Sequence, residues 1–131
     1  MILRYWETVG GTLVPEFQAV PQGPGVGRRL IDAVILPNGP KGQAHWSEVN
    51  ISGQDVISVQ AKAQRLGMYL MGQGLFSSEL LRRRFSPTSV RSVILCAADD
   101  AVLRPLLARY PEVEVVVDPG APIGPSEEEV G

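Results

Sequence analysis

The sequence predicts one α/β domain built on a single mixed β-sheet flanked by helices, in the order αβββαβαβ. Three observations predict it. Short apolar, β-branched segments recur at 12–20, 28–36, 55–61, 92–97 and 113–117. The apolar period becomes helical from about Ala63 and again after Asp99. A chain of 131 residues is long enough to bury one hydrophobic core but not two.

Residues 2–9 fit a short helix with Ile2, Trp6 and Val9 on one side, ended by Gly10-Gly11. Thr12–Val20 alternates as a strand, with Pro15 marking an edge or a bulge. Pro21–Gly27 is a turn by composition, and Arg28–Leu36 is the second strand. Residues 43–54 carry no clear pattern, and Asp55–Ala61 is the third strand. Leu66, Leu70, Leu75 and Leu80, with Met71 and Phe76 nearby, predict a helix from about Ala63 to Arg84, weakened by its glycines. Small residues there would let the helix pack closely on a sheet.

Ser86-Pro87 stops that helix, and Ser92–Ala97 is a strand of the kind buried on both faces. Asp99 or Asp100 can cap a helix running to about Tyr110, with Pro105 an awkward member. Val113–Val117 is the last strand. The early strands read as an antiparallel meander, and the later β-α-β-α-β stretch as crossovers into a mixed sheet. The domain spans 1–118, and 119–131, with three prolines, three glycines and Glu127-Glu128-Glu129, is expected to be a disordered acidic tail.

No apolar run reaches the ~18–20 residues of a membrane helix, so no membrane is expected. Met1–Glu7 has none of the features of a secretory signal. The single cysteine, Cys96, lies in an apolar run and has no internal disulfide partner, which suggests a reducing cytoplasm. Net charge is −2, against a strongly basic nucleic-acid binder, but residues 60–91 are basic and the chain beyond them is acidic. That asymmetry fits a phosphate-binding face, and it equally fits a solvated helix end beside an acidic tail.

The polar residues in the strands carry the chemistry. Asp32 sits inside an apolar strand, where a carboxylate must be paired, hydrogen-bonded or bound to a cation. Gln60 and Lys62 are two apart and share a strand face. If the second and third strands pair, Asp32, Gln60 and Lys62 converge. A carboxylate and an amide oxygen suit a hard divalent ion, and a fixed ammonium suits charge on a phosphate. The alternative for Asp32 is pairing to Arg28, Arg29 or Lys62, and for Gln60 and Lys62 a solvated strand end.

This arrangement resembles the PD-(D/E)XK nuclease superfamily, whose core is a helix, a three-stranded meander, a helix and a further strand. The resemblance covers residues 2–97 and implies a restriction-endonuclease-like fold. By it, Asp32 matches the metal-binding aspartate and Lys62 the motif lysine. Glu16 is similar in placement to an upstream glutamate. Gln60 replaces the motif's second acid, giving Gln-Ala-Lys and removing one negative charge.

The implied catalytic set is Asp32, Gln60, Lys62 and Glu16, with Mg²⁺ or Mn²⁺ on Asp32 and Gln60 and DNA as substrate. Arg65, Tyr69 and Gln73 would line one face of the following helix toward nucleic acid. The alternative is a weak or inactive member of the fold that binds nucleic acid or protein. A chain this small would gain reach from a homodimer or a larger partner.

Four other features read as structural. His45-Trp46 is a lone histidine beside an aromatic ring, and Cys96 is core. Arg82-Arg83-Arg84 complements a helix C-terminus. Gly23-x-Gly25-x-Gly27 lacks a dinucleotide-loop context.

Overall fold

Helix α1 (Ile2–Val9) lays Ile2, Trp6 and Val9 against one side of the sheet, as its apolar spacing predicts. The computed structural model describes residues 1–120. The strands are β1 (Thr12–Val20), β2 (Arg29–Leu36), β3 (Gly42–Gln43), β4 (Asp55–Arg65), β5 (Ser89–Ala98) and β6 (Val113–Val117). Helix α2 (Met68–Arg84) joins β4 to β5. The strands form one mixed six-stranded sheet in the order β3-β1-β2-β4-β5-β6. The expected meander is present: β1 pairs antiparallel with β2, and β2 with β4. β4, β5 and β6 run parallel.

Gly10 and Gly11, at φ of 78° and 77°, end α1 and turn the chain into β1. Pro15 lies beyond the two residues that β1 pairs with β3, so β1 is an edge there and the missing N–H breaks no ladder bond. Gly23 and Val26 exchange main-chain hydrogen bonds at the tip of the β1–β2 hairpin, so the glycine run is a turn.

The sheet separates two apolar layers, one helix on each. Ala33, Ile35, Ile57 and Val59 pack toward α1, whereas Val34, Leu36 and Val56 pack with Leu81 of α2. A third cluster joins Leu70 and Met71 of α2 to Ile94 and Cys96 of β5. The close helix–sheet approach expected from small residues occurs at Gly74. A Cβ there would lie 2.7 Å from Ile94 Cδ1, and Ser92 Oγ donates to the Gly74 carbonyl at 2.8 Å.

Several expectations are corrected. α2 begins at Met68, not near Ala63, because residues 62–65 remain in β4, paired with Cys96 to Ala98 of β5. The helix expected over 99–110 is a turn followed by a 3₁₀ helix, Arg104–Arg109. Asp100 does cap that turn, accepting the N–H groups of Val102 and Leu103 at 2.9 Å. Pro105, lacking an N–H and clashing with the preceding turn, prevents an α-helix. The unread stretch holds β3 and a 3₁₀ turn, Trp46–Glu48. Phe76 is 73% exposed and not part of the core. The proposed acidic tail lies outside the described residues from 121 onward.

Candidate functional site

β2 and β4 pair through Ala33–Val59, Val34–Ser58 and Ile35–Ile57, and beyond Ala33 that ladder ends. Asp32 stands at the parting. Its Oδ2 accepts the N–H of Ala61 at 2.9 Å, so a side chain replaces the next ladder bond. β2 also turns over there. Ile31 packs on the α2 side with Val34 and Leu36, although Ala33 and Ile35 pack on the α1 side. Ala61 is the residue between Gln60 and Lys62, so the carboxylate meets the motif through its main chain.

Gln60 is 4% exposed and turns toward α2, where its Nε2 donates to Ser77 Oγ at 2.7 Å. It also lines a cavity between β2 and α2. Lys62, partly buried, follows on the same strand parity. The three residues do not sit at the end of β4 as expected, since the strand continues to Arg65. They sit where its neighbour β2 leaves it.

Glu16 lies between the pairs Pro15–Ala33 and Phe17–Ile31, which places it across from Asp32 in the β1–β2 register. Its φ is 50°, and among the described residues no other non-glycine has a positive φ. Left-handed backbone costs a residue with a Cβ roughly 1–2 kcal/mol. Such strain concentrates at functional positions. Two acids opposite one another on neighbouring strands also disfavour each other unless a cation lies near.

The expected helix face of Arg65, Tyr69 and Gln73 does not form. Arg65 ends β4, and its Nη1 donates to the Asp99 carbonyl at 2.9 Å, bracing the turn after β5. Asp99 Oδ2 also pairs with Arg104 Nη1 at 2.8 Å. Tyr69 and Gln73 remain together on α2, bordering a shallow apolar hollow with Phe76. Arg29 and Arg83 line the cavity beside Gln60, although the sequence suggests Arg29 only as a partner for Asp32 and Arg83 only as a helix-end charge.

His45 and Cys96, read as structural, behave so, whereas Arg82 and Arg84 bond strand carbonyls and not their own helix end, and Arg83 lines the cavity. His45 Nδ1 accepts the Ser47 N–H at 3.2 Å, and the Glu48 carboxylate accepts the His45 N–H at 3.0 Å, closing a reciprocal cap. Cys96 is fully buried, and that burial, with Asp99 nearby as a lesser cause, pushes its thiol pKa up. Arg84 Nε donates to the Ala19 carbonyl at 3.4 Å, and Arg82 Nη2 to that of Val90 at 3.2 Å.

Among the described residues, no three His, Cys, Asp or Glu side chains are grouped to hold an ion. The oxygen-bearing side chains around the parting are the exposed Asp32 and Glu16 carboxylates and the buried Gln60 amide, whose nitrogen is held by Ser77 of α2. All are hard oxygen donors. A set this sparse suits an ion of the Mg²⁺ type, which keeps several waters and takes phosphate oxygens. No helix of the described residues is long and apolar enough to cross a membrane.

No family model, curated protein or solved structure matches the chain.

Proposed function

We propose that the parting of β2 and β4 is a metal-dependent phosphodiesterase centre in a restriction-endonuclease-like domain acting on DNA. The observation that carries this is the Asp32–Ala61 hydrogen bond, which fixes a carboxylate against the main chain between Gln60 and Lys62. The strand order and directions fit the core of that superfamily, and the strained Glu16 opposite Asp32 supports it further.

Asp32 keeps one oxygen on Ala61, which orients the carboxylate, and its other oxygen is the natural ligand for Mg²⁺ or Mn²⁺. Gln60 would contribute its amide oxygen, and Ser77 holds the amide's other end. A bound ion would lower the pKa of a ligated water and offset charge on the phosphorus oxygens. Lys62 would place its ammonium beside the scissile phosphate, favouring the transition state, which carries more oxygen charge than the substrate. Water adds to phosphorus, the bond to one ester oxygen breaks, and that oxygen takes a proton.

A second reading has its own observation. Gln60 supplies no charge, and its amide is engaged with Ser77 inside the α2 interface. That favours a weak or inactive member of the fold that binds nucleic acid or protein without cutting. Cleavage of plasmid and single-stranded DNA in Mg²⁺ and Mn²⁺ separates the two. Metal-dependent cutting that is lost in Asp32→Ala and Lys62→Ala supports the catalytic reading. Cutting that persists in both variants rejects the site, and a mobility shift without cutting supports the binding module.

A further inference from the structure

The cavity between β2 and α2 has a volume of about 590 Å³, within the usual range for small-ligand sites. Leu30 and Phe76 supply apolar walls, Gln60 and Gln73 amides, and Arg29 and Arg83 guanidinium groups. Gln73 and Phe76 also border the hollow that continues along α2 to Tyr69. Phe76 is 73% exposed and Tyr69 67%, so two large rings face water on one helix. They are seven residues apart, two helical turns, which puts both on one face about 10 Å apart along the axis.

Rings, amides and guanidinium groups side by side match one chemistry: a nucleobase joined to a phosphate. Aromatic rings stack on base faces, a glutamine amide can pair with a base edge, and arginine binds phosphate. In a duplex the base faces are already stacked, so only an unpaired nucleotide can offer one. The charge agrees. Arg29 and Arg83 line the cavity with one acid, Glu79, which already lies 3.7 Å from Arg82. A wholly apolar partner would leave both guanidinium groups without a counter-charge.

We propose that this cavity seats an unpaired nucleotide of the DNA strand presented to the β2–β4 parting, with the base on Phe76 beside Tyr69 and the phosphate between Arg29 and Arg83. Gln60 belongs to both places, so the seat and the parting are contiguous. The inference rests on the phosphodiesterase reading of the parting and adds a preference for single-stranded or frayed DNA.

The test is fluorescence anisotropy of a labelled single-stranded oligonucleotide, and of the same sequence as a blunt duplex, in Ca²⁺ buffer. The full chain should bind the single strand more tightly. Phe76→Ala should weaken that binding by about tenfold while leaving the duplex unchanged, as expected for one lost stacking contact. Phe76→Trp should restore it. Arg83→Ala should weaken both and lower the salt slope by about one. Both positions lie at the surface, and circular-dichroism melting checks that the variants stay folded.

Equal affinity for the two DNA forms, an unchanged Phe76→Ala, or no single-strand binding by the wild type would overturn the seat. So would Phe76-dependent self-association without DNA binding, since a second copy would then cover the face. Asp32→Ala keeps the two ideas apart: it should cut nothing, and adding Phe76→Ala to it should still weaken single-strand binding by about tenfold. Cleavage indifferent to Asp32 sinks the catalytic reading, whereas an active wild type with an indifferent Phe76 sinks only the seat.

Discussion

Asp32 and Ala61 are joined by a hydrogen bond in which a side chain takes the place of a strand. The carboxylate accepts the Ala61 N–H at 2.9 Å just past the last β2–β4 pair, Ala33 with Val59. Asp32→Ala leaves that N–H to solvent and should cost about 1 kcal/mol in urea unfolding. Asp32→Asn retains an acceptor oxygen and should cost less. Hydrogen exchange at Ala61 should accelerate in the alanine variant alone.

Two glycines of α2 give a matched pair. A Cβ at Gly74 would meet Ile94 Cδ1 and Cγ1 at 2.7 Å, whereas at Gly72 it would meet nothing within 4 Å. Gly74→Ala should destabilise by about 1–3 kcal/mol through overpacking. Gly72→Ala should stabilise by roughly 0.4–1 kcal/mol through helix propensity and a less free unfolded chain. Chemical denaturation of both reads the opposite signs.

Two buried serines, Ser58 of β4 and Ser77 of α2, should behave oppositely. Ser58 Oγ is buried with no hydrogen-bond partner among the described residues, so Ser58→Ala should stabilise by about 1 kcal/mol. Ser77 accepts from Gln60 Nε2, so Ser77→Ala leaves a buried donor bare and should cost about 1–2 kcal/mol. Midpoints of thermal unfolding distinguish the two.

The Arg4 guanidinium bonded to Asp118 holds that carboxyl below its ordinary value of 3.8, tying α1 to the end of β6. A depressed folded pKa gives stability that is present above the unfolded value and lost as pH falls through the folded one. Arg4→Met should raise the Asp118 pKa toward 3.8 in a carbon-13 titration. The wild type's advantage over this variant should vanish in acid.

What was legible in the sequence is what apolar patterning controls. β2 and β5 are largely buried runs, and β6, an apolar segment of which only Val113 is buried, matches Val113–Val117 residue for residue. The last turns of β4 were not legible, because Lys62, Ala63, Gln64 and Arg65 show no apolar alternation. Pairing with β5 supplies their main-chain bonds whatever their side chains. The pair Asp32 and Ala61 was foreseeable only as a convergence, since the two are 29 residues apart. Gln60–Ser77 was not foreseeable, because no local rule links a strand amide to a helix serine 17 residues on. Phe76, named beside the helix leucines, faces water, because one apolar residue in a helical run does not reveal which side it takes.

The most direct measurement follows backbone amide signals as Mn²⁺ is added at low stoichiometry, since a bound paramagnetic ion broadens the resonances nearest it. If the parting of β2 and β4 holds the ion, the amides of Asp32, Ala61 and Lys62 broaden first in the wild type. In Asp32→Asn they should stay sharp at the same Mn²⁺ concentration. Equal broadening in both proteins, or broadening confined to other carboxylates such as Glu112 and Glu114, would contradict a metal centre at Asp32.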